Sequence, residues 1–246
     1  MGLFDIFKKK KSAPEVDPAV LKELFVSARR QNQNFCQRNY VEAEQIFSIF
    51  SNSAKTELVK VGDMDATSNR LMLADPCYLG SNMVLPMERA TQAGKYPVFA
   101  SVLTTKMTGR VIAGVKVKLS DTGTVRYELA MPLGIKAWTV DDAMTFPYVD
   151  ISTGIGCVVD KETELSFAAA YNNYFNIHGK DMILDLLEPM VSENGYAMFT
   201  IPGTEVTVPL FVTGLGQGAY NAYWGFDKEN KLTELAFPFV YPELFE

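Results

Sequence analysis

The residues of this chain best suited to chemistry are three cysteines, one histidine and a few aspartates beside turns. Cys157 follows a Gly-Ile-Gly turn, a setting in which a strand end can expose a thiol nucleophile. Its base would have to be His178, the sole imidazole, within Asn176-Ile177-His178-Gly179. Thiol attack needs a lowered pKa, and Lys161 is the only adjacent basic group, so a buried structural thiol beside a surface imidazole is the expected arrangement. Asp75, Asp150, Asp160 and Asp227 could gather as oxygen ligands for a hard cation. They share no close ligand spacing, which favours separate caps of strand ends, each bonding backbone N–H groups. No metal set and no cofactor is expected, and a Ser-His-Asp triad would need the same histidine without a GxSxG elbow to present its serine.

A second region with chemical content is residues 214–227, GLGQGAYNAYWGFD. Three glycines within five residues mark positive φ or a close backbone approach. A dinucleotide site would require a helix after the glycines, and an aromatic strand follows instead. Tyr220, Tyr223, Trp224 and Phe226 include both parities of that strand, so outward-facing rings are one arrangement it allows, although burial on both faces is the preferred one. Exposed Tyr and Trp anchor interfaces, which makes these four rings and Gln217 the candidate partner-binding residues.

The elements that would position these groups follow from the hydrophobic pattern. Asp17-Pro18 is an N-cap followed by proline at the first helical position, and Leu21, Leu24, Phe25 and Ala28 predict a helix over 18–31. A second helix is predicted over 40–50. Strands are predicted at 57–61, 70–74, 94–103 and 111–119, the last forming a hairpin with 125–129 through Asp121-Thr122-Gly123. That register would set Lys116 opposite Glu128 and Val117 opposite Tyr127. A short strand at 146–151, helices at 162–174 and 181–191, and strands at 196–201, 205–212, 219–227 and 233–240 complete the chain. The fold class is α+β: a large, mainly antiparallel sheet or two packed sheets, with an N-terminal helical pair and two further helices. The expected organisation is an arm and linker over 1–16, then one domain over 17–246, with a helical extension at 17–52 and a β-rich core at 56–246.

Composition narrows the classes. A net charge of −6 disfavours nucleic acid and permits a basic protein partner. Three widely spaced cysteines form no disulfide framework and suit a reducing cytoplasm. Leu3, Phe4, Ile6 and Phe7 precede four lysines, so residues 3–11 offer a weak interfacial membrane contact. One turn buries little area, and an arm docked on the protein's own surface is the preferred reading.

Four ordered segments carry a family resemblance: ADPCYL at 74–79, GKYPVFASV at 94–102, DISTGIGCVVD at 150–160 and the glycine–aromatic stretch at 214–227. Together they resemble the bacterial family of unknown function numbered 4241, over roughly residues 58–239. The resemblance implies a shared fold and brings no reaction with it. The family pattern has an acid where this chain has Gln217, and an alanine near Ser152-Thr153, so any chemistry at the glycine loop would be weakened here. With no complete catalytic set, the expected function is a cytoplasmic protein that binds another protein, in concrete form an immunity or accessory protein of a bacterial conflict system with a toxin as partner. The alternative is a hydrolase using Cys157, with His178, or an acid cluster around Asp75 and Asp150.

Overall fold

The computed structural model describes residues 43–53, 55–81, 83–106, 109–134, 149–214 and 216–240. In chain order these form α1 (Ala43–Phe50), β1 (Thr56–Ala66), β2 (Leu71–Ala74), a 3-10 turn (Pro76–Tyr78), β3 (Gly94–Thr105), β4 (Gly109–Lys118), β5 (Arg126–Leu129) and β6 (Val149–Ile151). Then come β7 (Ile155–Asp160), α2 (Lys161–His178), a π-helical turn (Ile183–Leu187), α3 (Glu188–Val191), β8 (Tyr196–Thr200), β9 (Thr207–Val212), β10 (Gly218–Tyr220), β11 (Tyr223–Phe226) and β12 (Leu232–Pro238). The class is α+β, as expected. Helix α1 falls within the second predicted helix, while the first, at 18–31, and the arm at 1–16 lie outside the described residues.

A six-stranded sheet runs β1-β3-β4-β12-β11-β5, a four-stranded sheet runs β2-β7-β9-β8, and β6 pairs with β10. The paired strands are antiparallel throughout. The four-stranded sheet is a middle layer, because a strand's side chains alternate between faces. Leu71, Leu73, Val158 and Phe211 join the core shared with the six-stranded sheet. Their neighbours Met72, Ala74, Cys157, Val159, Leu210 and Val212 face the other way, against Phe167 of α2, Ile183 and Leu187 of the π turn and Val191 of α3. Helix α1 lies on the far face of the six-stranded sheet, where a Cβ on Gly114 would meet Phe50 Cζ at 2.9 Å and Ile49 Cγ2 at 3.1 Å.

The predicted hairpin of 111–119 with 125–129 is corrected by this topology. β12 and β11 lie between β4 and β5, so Val117 pairs with Leu235 and Tyr127 with Gly225. The 119–125 loop arches over both inserted strands, held by Leu119 N–H to Thr233 O at 2.7 Å and Val125 N–H to Phe226 O at 2.7 Å. Alternation identified the buried faces, and it carries no information about partners a hundred residues away. The predicted single strand 219–227 is likewise two: β10 pairs with β6, and after Asn221-Ala222 the chain enters the six-stranded sheet as β11.

Candidate functional site

Three of the recognised motifs meet at one end of the middle sheet. Strand β2 delivers Asp75, which caps the 3-10 turn by accepting from Cys77 N–H at 2.9 Å, with Pro76 starting the turn where no N–H is needed. Its second oxygen accepts from Thr153 N–H at 2.6 Å and from the Thr153 hydroxyl at 2.9 Å. Beside this clamp, the Tyr78 and Ser152 hydroxyls are hydrogen-bonded at 2.6 Å, and Ser152 Oγ donates to Asp150 at 3.3 Å. Asp150 is exposed and lies opposite Ala219 in the β6–β10 pair, which brings the glycine loop alongside.

Tyr220 locks that loop from within. Its buried hydroxyl donates to Thr213 O at 2.9 Å or Gly216 O at 2.6 Å, while Thr213 Oγ1 reaches Gly216 O at 2.8 Å and Gly154 O at 3.2 Å. Gly214 has φ +54, and a Cβ there would lie 2.6 Å from Val240 Cγ2 and 2.9 Å from Phe239 Cβ. The glycines therefore permit close packing under positive φ, which is a structural role.

The aromatic strand is the largest correction among the candidate residues. Tyr220, Tyr223, Trp224 and Phe226 are each at most 3% exposed, so no ring faces solvent and burial on both faces is the arrangement found. Both parities of β11 are covered because both faces of the six-stranded sheet are packed, one by α1 and the other by the core shared with the middle sheet and by Arg89 and Arg126 over Phe226. Arg89 and Arg126 lie over the Phe226 ring at 4.9 and 4.2 Å, with Glu128 bridging both guanidinium groups. Of the five candidate partner-binding residues only Gln217 is exposed.

The thiol chemistry meets the same outcome. Cys157 is wholly buried and donates to Ala74 O at 3.4 Å; burial, then the charges of Asp75 and Cys77, push its pKa well above the ordinary thiol value. Cys77 is raised too, first by burial and then by its hydrogen bond and charge interaction with Asp75. His178 is exposed at the end of α2, its ring 4.5 Å from that of Tyr174. A thiolate at either cysteine is disfavoured by every neighbour that acts on it except backbone hydrogen bonds. In protein carrying Cys36→Ser, we expect Cys77 to react with a disulfide reagent at least about 100-fold more slowly than a free thiol, and Cys157 to react only on unfolding. Fast stoichiometric labelling of native Cys157 would restore the nucleophile.

The four motif aspartates divide rather than converge. Asp160 caps α2 and also accepts from Thr67 and Ser68, and Asp227 accepts from Glu229 N–H at 3.0 Å, Lys231 N–H at 2.9 Å and the Thr122 hydroxyl at 3.0 Å. Asp75 and Asp150 share one node through neighbouring loop residues, and among the described residues no group of three or more Asp, Glu, His or Cys could hold a metal ion.

The surface feature that sequence reasoning missed is on the helical layer. Helix α2 starts from the Asp160 cap and buries Thr163, Glu164 and Phe167, and Tyr171 and Tyr174 carry that packed face into its later turns. It continues four residues past the predicted end, to the left-handed Gly179, whose N–H bonds Phe175 O at 2.8 Å. That extension leaves Phe175 and Ile177 exposed by 57% and 72%, and Leu184 on the π turn is exposed by 59%. Tyr174 and Lys180 both bond Asp185, which fastens the helix end to the π turn. Gly179 as a C-cap after His178 is the sequence signal that marks the true end.

A mixed antiparallel α+β protein with three motif loops knotted at one sheet end is thus the class defined by the fold. The chain belongs to the family described as "Protein of unknown function (DUF4241)", whose model matches residues 64–237. No curated protein and no solved structure matches it.

Proposed function

We propose that this chain works by binding another protein, as a cytoplasmic immunity or accessory protein of a bacterial conflict system, and that the helical layer is its docking face. The observation that carries the reading is the placement of exposed apolar side chains. Among the described residues, four of the five large hydrophobic groups exposed by more than half are Leu165, Phe175, Ile177 and Leu184; the fifth is Met83. Single exposed apolar groups are ordinary, and what supports the reading is the share of them that falls on this one layer. The thiols of Cys77 and Cys157 are unpaired, which suits a reducing compartment. Among the described residues no helix is long and apolar enough to cross a membrane.

The alternative is a hydrolase using Cys157, whose thiol is buried, or the acids Asp75 and Asp150, which meet beside the Tyr78–Ser152 hydrogen bond. There the Ser152 hydroxyl is hydrogen-bonded to the Tyr78 phenol and donates to the Asp150 carboxylate over a long 3.3 Å, with no imidazole among its hydrogen-bond partners in the described residues. Affinity purification from the native host separates the readings. The wild-type chain should recover a protein partner that Ile177→Glu with Leu184→Glu loses, at unchanged thermal stability. Equal recovery by both forms, or no partner at all, would refute the proposal.

A further inference from the structure

The outer strands of the two main sheets are not alike. β1 carries Glu57, Lys60, Asp63 and Asp65 along its length, and its register slips between Lys60 and Gly62. β5 carries Arg126 and Glu128, and β2 already accepts Met87 N–H on its Leu71 carbonyl at 2.8 Å. Charges, bulges and covering segments of this kind keep an edge from pairing with another chain. β8, Tyr196-Ala197-Met198-Phe199-Thr200, has none of these: no charge, no proline, no glycine and an unbroken register against β9.

The backbone groups that β8 turns outward follow from its bonds to β9. Val212 N–H donates to Gly195 O at 2.7 Å, and Ile201 N–H donates to Val206 O at 2.9 Å. Bonded pairs alternate along an antiparallel ladder, so between these two bonds Ala197 with Leu210 and Phe199 with Val208 are the bonded pairs. Pro209, which has no N–H, then falls opposite Met198 at a non-bonded position. The N–H and C=O groups of Tyr196, Met198 and Thr200 therefore point away from β9, and among the described residues nothing pairs with that edge. Thr200 is exposed, and Tyr196 and Met198 are half-buried.

We propose that β8 is the edge through which two copies of this chain pair, strand against strand. Its outward groups sit at alternate positions centred on Met198. A two-fold axis there sets Met198 against Met198 of the partner subunit and Tyr196 against Thr200 of the partner subunit. Every outward N–H then meets a carbonyl, and no charge on either strand opposes a like one. The middle sheet runs on from one copy into the next, and two-fold closure limits the assembly to a pair. A strand of a different protein would satisfy the same backbone groups; the neutral, self-matching register favours a second copy. A five-residue strand is a small contact beside the roughly 1,200–2,000 Å² of a stable complex, so the pair forms only at high concentration. The proposal does not depend on the protein-binding reading.

Sedimentation of the full chain tests it. The mass should be that of one copy near about 1 µM and rise at least about 1.5-fold, as a weight average, by about 200 µM. Over the same range, residue-resolved amide exchange should slow about 2-fold or more at Tyr196, Met198 and Thr200. Ala197 and Phe199, whose N–H groups already bond β9, should change little. Thr200→Pro removes one outward N–H and keeps every bond to β9. It should raise the dissociation constant about 10-fold or more, with the thermal midpoint of the single copy unchanged. A chain that stays monomeric at the high concentration, a dimer indifferent to Thr200→Pro, or slowing that ignores the alternation overturns the proposal. Protection of those three amides only when another protein is added also overturns it, and assigns the edge to that protein.

Discussion

Replacing Glu234 with alanine should destabilise the protein by about 3–5 kcal/mol, the usual cost of stranding one member of a buried ion pair. Glu234 is 6% exposed by side chain and Lys116 16%, with their charged atoms 3.0 Å apart inside the six-stranded sheet. The same carboxylate accepts the hydroxyl of fully buried Tyr127, whose pKa burial and Glu234 together push well upward. Helix α1 closes the site: the Phe50 ring lies 5.3 Å from Lys116 Nζ, and Phe47 packs edge-on against Tyr127. Without Glu234 the ammonium has no acid, and the phenol loses its acceptor in a site that admits little water. Thermal unfolding should fall by about 6–20 °C. A triple variant, Lys116→Met with Glu234→Leu and Tyr127→Phe, removes every polar member and should recover most of that loss. A single variant costing less than about 1 kcal/mol would show that the network is solvated.

The second large effect is expected at Asp160. One oxygen accepts from Glu162 N–H at 3.1 Å and from the N–H and hydroxyl of Thr163, both at 2.9 Å, capping α2. The other accepts from Thr67 N–H at 2.9 Å and from Ser68 N–H, which ties the β1–β2 connection to the helix start. Alanine would remove the cap and leave backbone donors of two segments unpaired, at about 2–4 kcal/mol. Burial pushes the Asp160 carboxyl up, but the hydrogen bonds from Ser68 and Thr163 outweigh it and hold the pKa below the ordinary value. A carboxyl lowered in the folded state adds stability that is fully present above its unfolded pKa, about 3.9, and that is lost as pH falls through the lower folded value. The gap between wild type and Asp160→Asn should therefore be constant above about pH 5 and shrink below about pH 4. Urea titrations at several pH values measure it; a gap that widens in acid would contradict the assignment.

These two sites also show what sequence could and could not reveal. Asp160 before an acidic, helix-forming run is a local signal, and its role as a cap was legible. Glu234 was not, because its partners Lys116 and Tyr127 are 118 and 107 residues away. Local alternation instead suggested Lys116 beside Glu128, whereas Glu128 binds Arg89 and Arg126. Strand β7 escaped notice because its glycine and continuous apolar run, IGCVVD, show none of the alternation that marks a half-exposed strand; it is buried on both faces in the middle sheet. The aromatics of β11 misled for a related reason. Two parities imply an exposed face only when one side of the sheet is open, and here α1 covers one side while Arg89 and Arg126 cover Phe226 on the other. The last turn of α2 was hidden by the opposite error, a helix ended at Tyr174 when Gly179 caps it.

We propose the helical layer, and not the knot of family motifs, as the face that meets a protein partner. Amide hydrogen exchange of the chain, alone and bound to the partner recovered by affinity purification, locates the contact directly. Exchange should slow across residues 161–191 and stay unchanged at 75–79, 150–154 and 217; protection at those motif loops with none on the helices would contradict it.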